Sequence, residues 1–136
     1  MLTRITHTGI WVHDIDEALA FYSDKLGFEV RFDVREKTWS WVTVAPPGSE
    51  APELILVVPG PPYMQEDAAK QVLELVASGS FVAAGILATE DCRADYDALK
   101  ARGVEFQQEP MERDYGVDAA CRDPSGNSWR MTQRGR

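Results

Sequence analysis

The chain states one plan twice, and that repetition constrains its fold more than any other feature. Residues 10–30 read IWVHDIDEALAFYSDKLGFEV: a strand, an acidic turn, a short amphipathic helix, then Leu-Gly-Phe-Glu-Val. Residues 86–106 read ILATEDCRADYDALKARGVEF, the same plan ending in Gly-Val-Glu-Phe. Gly27 and Gly103 lie 76 positions apart, more than half the chain. A long-period repeat fixes the architecture, because each copy builds the same unit. Two similar modules follow, whose β-sheets can face each other and enclose a cavity. A length of 136 residues suits one domain with a sizeable core.

Apolar periodicity sets the elements. Ile5 to His13 alternates and is β-branched, as a strand does. Asp14 or Asp16 can cap the helix that follows. Ala18, Leu19, Phe21, Tyr22 and Leu26 recur at helical spacing, and Gly27 ends that helix. Strands are expected at Phe28–Arg35, Thr38–Ala45 and Glu53–Val58, completing a βαβββ unit. Pro59-Gly60-Pro61-Pro62 is a stiff break, and Glu66 to Ala77 reads as a linker helix. The second unit repeats the order: strand Phe81–Thr89, helix Asp91–Arg102, then strands Val104–Gln108, Val117–Arg122 and Ser128–Gln133. The last two are joined by the turn Asp123-Pro124-Ser125-Gly126-Asn127. The domain thus divides into module one (about 1–60), a linker helix (about 61–79) and module two (about 80–136).

Alternation places residues i and i+2 of a strand on one face. His7, Gly9, Trp11 and His13 share a face of the first strand, opposite Thr8, Ile10 and Val12. Glu53, Ile55 and Val57 share a face of the fourth, Trp39, Trp41 and Thr43 one of the third, and Ser128, Arg130 and Thr132 one of the last. If the modules face each other, His7, Glu53 and Arg130 converge in one concavity, with Trp11, Trp39 and Trp41 in its wall. A mostly apolar pocket with a few polar groups is the usual form of a small-molecule site. Each residue also has a plain structural role open to it: His7 as a satisfied strand histidine, Glu53 as a solvated strand start, Arg130 as a surface charge, the tryptophans as core or dimer interface. His13, beside Asp14, is expected to be exposed. Tyr63 and Met64 follow the proline break as a lid or a linker contact. Cys121 lies within a strand with no basic activator nearby.

Charge and cysteine usage exclude several classes. Fourteen Lys and Arg against 22 Asp and Glu give a net charge of −8. Nucleic acid and anionic membranes both require a basic face. No apolar run approaches the roughly 20 residues of a membrane helix. The opening Met-Leu-Thr-Arg-Ile-Thr-His enters strand-like alternation directly, without a signal-peptide pattern. Cys92 and Cys121 fit reduced thiols, so a cytoplasmic location is expected.

Thr6-His7-Thr8-Gly9-Ile10, then Asp16…Ala18…Phe21-Tyr22…Leu26-Gly27-Phe28 and Glu53-Leu54-Ile55-Leu56, resemble the vicinal oxygen chelate superfamily of glyoxalases, bleomycin-resistance proteins and extradiol dioxygenases. In the second half Asp91…Leu99…Arg102-Gly103-Val104, Tyr115-Gly116 and Asp123-Pro124-Ser125-Gly126-Asn127 carry the same likeness. The resemblance implies an α+β fold of two tandem βαβββ modules forming a curved eight-stranded cavity, commonly in a homodimer. It also implies Tyr115 at the pocket and a divalent ion held from four strand positions. His7 matches the first-strand ligand and Glu53 the fourth-strand one. The third should lie near Ala83 to Gly85, where no His, Asp or Glu occurs. The fourth, seven residues after Asp123, is Arg130. A divalent ion needs deprotonated N or O donors, and arginine keeps its proton. No metal of the ordinary family kind, and no other cofactor, is therefore expected. Arg130 could instead pair with Glu53 or bind an anionic ligand group.

Two functions follow from that reading. The first is a binding protein that takes an aromatic or antibiotic-like molecule between Trp11, Trp39, Trp41, Tyr115 and Arg130. The second is a glyoxalase-like lyase or isomerase using His7 or Glu53 as base, with a metal if ligands come from elsewhere. An extradiol dioxygenase, which needs iron or manganese, does not fit. A ligand-free scaffold is a third reading.

Overall fold

The computed structural model describes residues 1–135. In chain order it contains β1 (His7–Trp11), α1 (Ile15–Leu19), a π-helical continuation (Ala20–Lys25), β2 (Glu29–Arg35), β3 (Ser40–Ala45) and β4 (Glu53–Val57). After α2 (Glu66–Ser78) come β5 (Gly85–Ala88), α3 (Cys92–Ala101), β6 (Glu105–Arg113), β7 (Gly116–Arg122) and β8 (Ser128–Arg134). Two four-stranded sheets result, in the orders β1-β4-β3-β2 and β5-β8-β7-β6. The orders correspond strand for strand, so the repeat in sequence is a repeat in topology. In each sheet the first and last strands of the module pair in parallel, and the other pairs are antiparallel. Among the described residues no helix is long and apolar enough to cross a membrane.

The repeated local signals act alike in both halves. The Asp14 carboxylate accepts the Glu17 N–H and caps α1; Asp91 accepts the Ala94 N–H and caps α3. Gly27 (φ +79°) then turns the chain out of the first helix through the left-handed region. The first helix widens after Leu19, with Leu26 N–H donating five residues back to Phe21 O.

Several strand limits differ from expectation. β1 starts only at His7 and β5 only at Gly85; Ile5, Phe81 and Val82 are exposed and lie outside the ladders. β3 starts at Ser40, because the Glu36 N–H to Trp39 O bond closes a turn before it. β6 runs on to Arg113 through Pro110. It lies at a sheet edge, where a missing N–H removes no ladder bond, and its register shifts between Gln108 and Met111.

One core unites the modules. Val12, Phe21, Tyr22, Phe28, Val42, Val44, Leu54 and Leu56 of module one pack with Val104, Cys121 and Trp129 of module two. The Tyr22 hydroxyl donates to Asp123 Oδ2 at 2.7 Å and accepts Trp129 Nε1–H at 2.8 Å. Burial first, and then the neighbouring Asp123 charge, raise the Tyr22 pKa well above the usual phenol value. The turn 123–127 is the clasp. Asp123 Oδ1 accepts the N–H groups of Ser125, Gly126 and Asn127 at 2.8–3.0 Å. Asn127 Nδ2 donates to Trp11 O at 2.8 Å, and the His13 N–H donates to Ser125 Oγ at 2.9 Å. Gly126 (φ +112°) presses on α2 so closely that a Cβ there would lie 2.3 Å from Val76 O.

These core residues come from the apolar face of each sheet. The opposite faces, with His7 and Glu53 on one and Arg130 on the other, are therefore turned away from the shared core. Within one chain they form two separate clusters and not the single concavity expected from strand alternation.

Candidate ligand-binding site

The first cluster is set by the parallel pairing of β1 and β4, which places His7 opposite Glu53. His7 Nε2 lies 3.6 Å from Glu53 Oε1, and the Thr43 hydroxyl donates to the same oxygen at 2.8 Å. Arg31 reaches in from a bulge in β2, with Nη1 3.9 Å from Glu53 Oε2. The Arg31 guanidinium is itself anchored by donation to Ser49 O at 2.7 Å. The Trp41 indole packs at 5.2 Å, centroid to centroid, against the His7 ring.

The second cluster centres on Asp118, a carboxylate in mid-strand β7 with no solvent exposure. Asp118 faces Thr132 across the β7–β8 ladder, one step along the same face from Arg130. Its Oδ2 accepts Arg130 Nη2–H at 2.7 Å, Arg130 Nε–H at 3.0 Å and the Tyr115 hydroxyl at 2.7 Å. Its Oδ1 accepts Gln108 Nε2–H at 3.0 Å and Arg113 Nε–H at 3.3 Å. Burial pushes the Asp118 pKa up, but the bonds from Tyr115, Arg130, Gln108 and Arg113 together outweigh it and hold the group well below the usual carboxylate range. The hydrogen bond to Asp118 is also what chiefly raises the Tyr115 pKa. Beside this cluster opens a cavity of about 730 Å³, lined by Ile86, Ala88, Tyr115, Asp118, Arg130 and Thr132 among others.

The sequence-predicted residues are thus distributed differently from expectation. His7 and Glu53 do meet. Arg130 does not pair with Glu53: its partner is Asp118, which sequence reading missed. The signal was there, a lone acidic residue between Val117 and Ala119 in a strand otherwise apolar up to Cys121. Tyr115 stands at the cavity beside Arg130. None of Trp11, Trp39 and Trp41 lines that cavity, because all three belong to the first module. Trp11 packs edge-on against Tyr63, centroids 6.3 Å apart, which makes Tyr63 a linker contact. Trp39 lies in the turn before β3, outside the strand that carries Trp41 and Thr43. The fourth tryptophan, Trp129, is core. His13 is exposed, as expected. The Cys121 thiol is buried, and that burial pushes its pKa up to about 12.

The model of the Glyoxalase/Bleomycin resistance protein/Dioxygenase superfamily matches residues 4–131. The chain belongs to that superfamily. It is 34% identical over 135 residues to an uncharacterised protein of Shewanella frigidimarina (strain NCIMB 400), covering 98% of this chain and 95% of that one. Its fold is similar to the crystal structure of UcmS2, with 40% identity, coverage of 97% and 98%, and a TM-score of 0.92. It is also similar to TnmS3, an antibiotic binding protein from Streptomyces sp. CB03234, with 27% identity, 98% coverage of both chains and a TM-score of 0.77.

Of the positions that the resemblance matches to metal ligands, only two carry donor side chains, His7 and Glu53. Among the described residues no three His, Cys, Asp or Glu side chains are grouped to hold an ion. Glu53 already accepts from Thr43 and has the Arg31 guanidinium beside it. A cation at that place would meet a fixed positive charge and too few donors. The residues present do not fit a divalent ion.

Proposed function

We propose that this protein binds a small, largely apolar organic molecule of the antibiotic kind, and that it does so without a metal. The observation that carries the reading is the 730 Å³ cavity beside Arg130, apolar on its β5 side and charged on its β7–β8 side. The similarity to TnmS3, an antibiotic binding protein, supports it. The absence of a fitting donor set supports the metal-free form.

The proposed working unit is a homodimer. Phe32 (51% exposed) and Val34 are cross-strand partners of Thr43 and Trp41, on the face of the first cluster. Ile86 (69% exposed), the neighbour of Arg130, lies on the face of the second. Apolar groups this open, on faces turned from the core, fit coverage by another copy. A second chain laying its first sheet over the second sheet of its partner would close the cavity with Trp41 and His7. Two buried free cysteines support a reducing, cytoplasmic setting.

The His7–Glu53 contact favours one other reading, proton transfer on an oxygenated metabolite with one of this pair as base. Light scattering on the purified protein, with tryptophan fluorescence titrated against an antibiotic panel, tests the binding proposal. A dimer whose fluorescence responds saturably, with the response lost in Trp41→Phe, is expected. A monomer, or no response to any compound, would overturn it. Turnover of a glyoxalase-type substrate that vanishes in both His7→Ala and Glu53→Gln would establish the enzyme reading instead.

A further inference from the structure

We infer that the molecule taken by this cavity carries an anionic oxygen group, a carboxylate or sulfonate, seated on Arg130 at the cavity wall, with the Arg113 guanidinium adding its charge from beside it. The inference rests on the binding reading above and specifies its ligand. One carboxylate, Asp118, faces two guanidiniums, so the cluster keeps one positive charge. Asp118 is fully buried, and the hydrogen bonds it accepts from Arg130, Arg113, Tyr115 and Gln108 keep it ionised. Gln108 Oε1 accepts from Arg130 Nη2 at 2.9 Å and from Arg113 Nη2 at 3.2 Å, which holds the two planes beside each other. In each arginine Nε and Nη2 are engaged, while Nη1 has no hydrogen-bond partner among the described residues. Both side chains remain more than a third exposed.

The surrounding charges sharpen the choice. Of the charged residues lining the cavity, Asp118 and Glu90 balance Arg130 and Arg134, and Arg113, bonded to Asp118 outside that lining, supplies the positive excess. The protein as a whole carries −8. A fixed positive spot within an acidic molecule is not a general attractor of polyanions. It selects a compact anion presented by a ligand whose remainder suits Ile86 and Ala88. The Arg130 Nη1 group, left without a partner among the described residues, offers charge-assisted N–H donors to an oxygen of such a group.

Two fluorescent probes that differ in one group test this: 8-anilinonaphthalene-1-sulfonate and the neutral N-phenyl-1-naphthylamine. The sulfonate should bind at least about tenfold more tightly at low salt, with an advantage that shrinks as sodium chloride rises. Arg130→Gln should remove most of the advantage, weakening the sulfonate at least about fivefold more than the neutral probe. Arg113→Gln, farther from the cavity wall, should reduce it and serves where the first variant folds poorly; the wild-type ratio and its salt dependence need no variant. Equal affinities in the wild type, or equal losses for both probes in the variants, would overturn the anion assignment and leave the cavity reading standing. Failure of both probes to bind would remove the cavity reading and this inference with it.

Discussion

Replacing Asp118 by Asn tests the clearest physical asymmetry in the molecule. The wild-type carboxylate is fully buried and accepts five side-chain hydrogen bonds, three of them from guanidinium nitrogens. Removing one partner of a buried ion pair costs about 3–5 kcal/mol when the other charge stays buried. Here the partners left behind, Arg130 and Arg113, are 35% and 38% exposed and can regain water. That lowers the expected cost to about 2–3 kcal/mol, the range of one or two charged hydrogen bonds. In urea this corresponds to a fall of about 1 M in midpoint, for a slope of about 2 kcal/mol per molar. The pH dependence has a definite sign. In the unfolded chain the group titrates near about 4; in the folded chain it titrates well below that. Below about pH 4 the unfolded chain therefore takes up a proton that the folded chain refuses, and stability falls as pH falls. Asp118→Asn should flatten that part of the acid limb while lowering the plateau at neutral pH. The assay is urea unfolding followed by circular dichroism from pH 3 to 8 at one protein concentration. A loss under about 0.5 kcal/mol, or an acid limb as steep as that of the wild type, would refute the reasoning.

Three further outcomes are expected. Tyr22→Phe leaves Asp123 and Trp129 Nε1–H each short of a buried partner and should cost about 1–3 kcal/mol by the same urea assay. Gly126→Ala should destabilise by more than about 1 kcal/mol, because its φ of +112° and the 2.3 Å approach to Val76 O leave no place for a Cβ; Asn127→Ala, which keeps that backbone, should lose only the bonds its amide makes to Trp11 O and Asp123. Cys92 and Cys121, both buried and both shifted upward by burial, should stay unreactive toward a disulfide reagent in the folded protein and react together on unfolding.

Much of this molecule was legible without coordinates because the signals are local. A carboxylate before a helix, a glycine after it and an alternating run before both act within a few residues, so Asp14, Asp91, Gly27 and Gly103 announced two equal modules. The parallel pairing of β1 with β4, which sets His7 opposite Glu53 within one sheet, came only with the structure. Strand limits were less legible where pairing decides them. Phe81 and Val82 have strand-like side chains and no strand beside them, while Pro110 sits in a strand because that strand is an edge.

Arg130 shows where sequence stops. Its side-chain type and its place in β8 were set by the chain, and they sufficed to discount an ordinary metal ligand. Its partner was not. The choice between Glu53 and Asp118 depends on which faces of the two sheets are spent on the common core, and on a β7–β8 register that carries Asp118 to the same face one step away. Periodicity tells a residue which face it occupies; only tertiary packing tells that face what it looks upon.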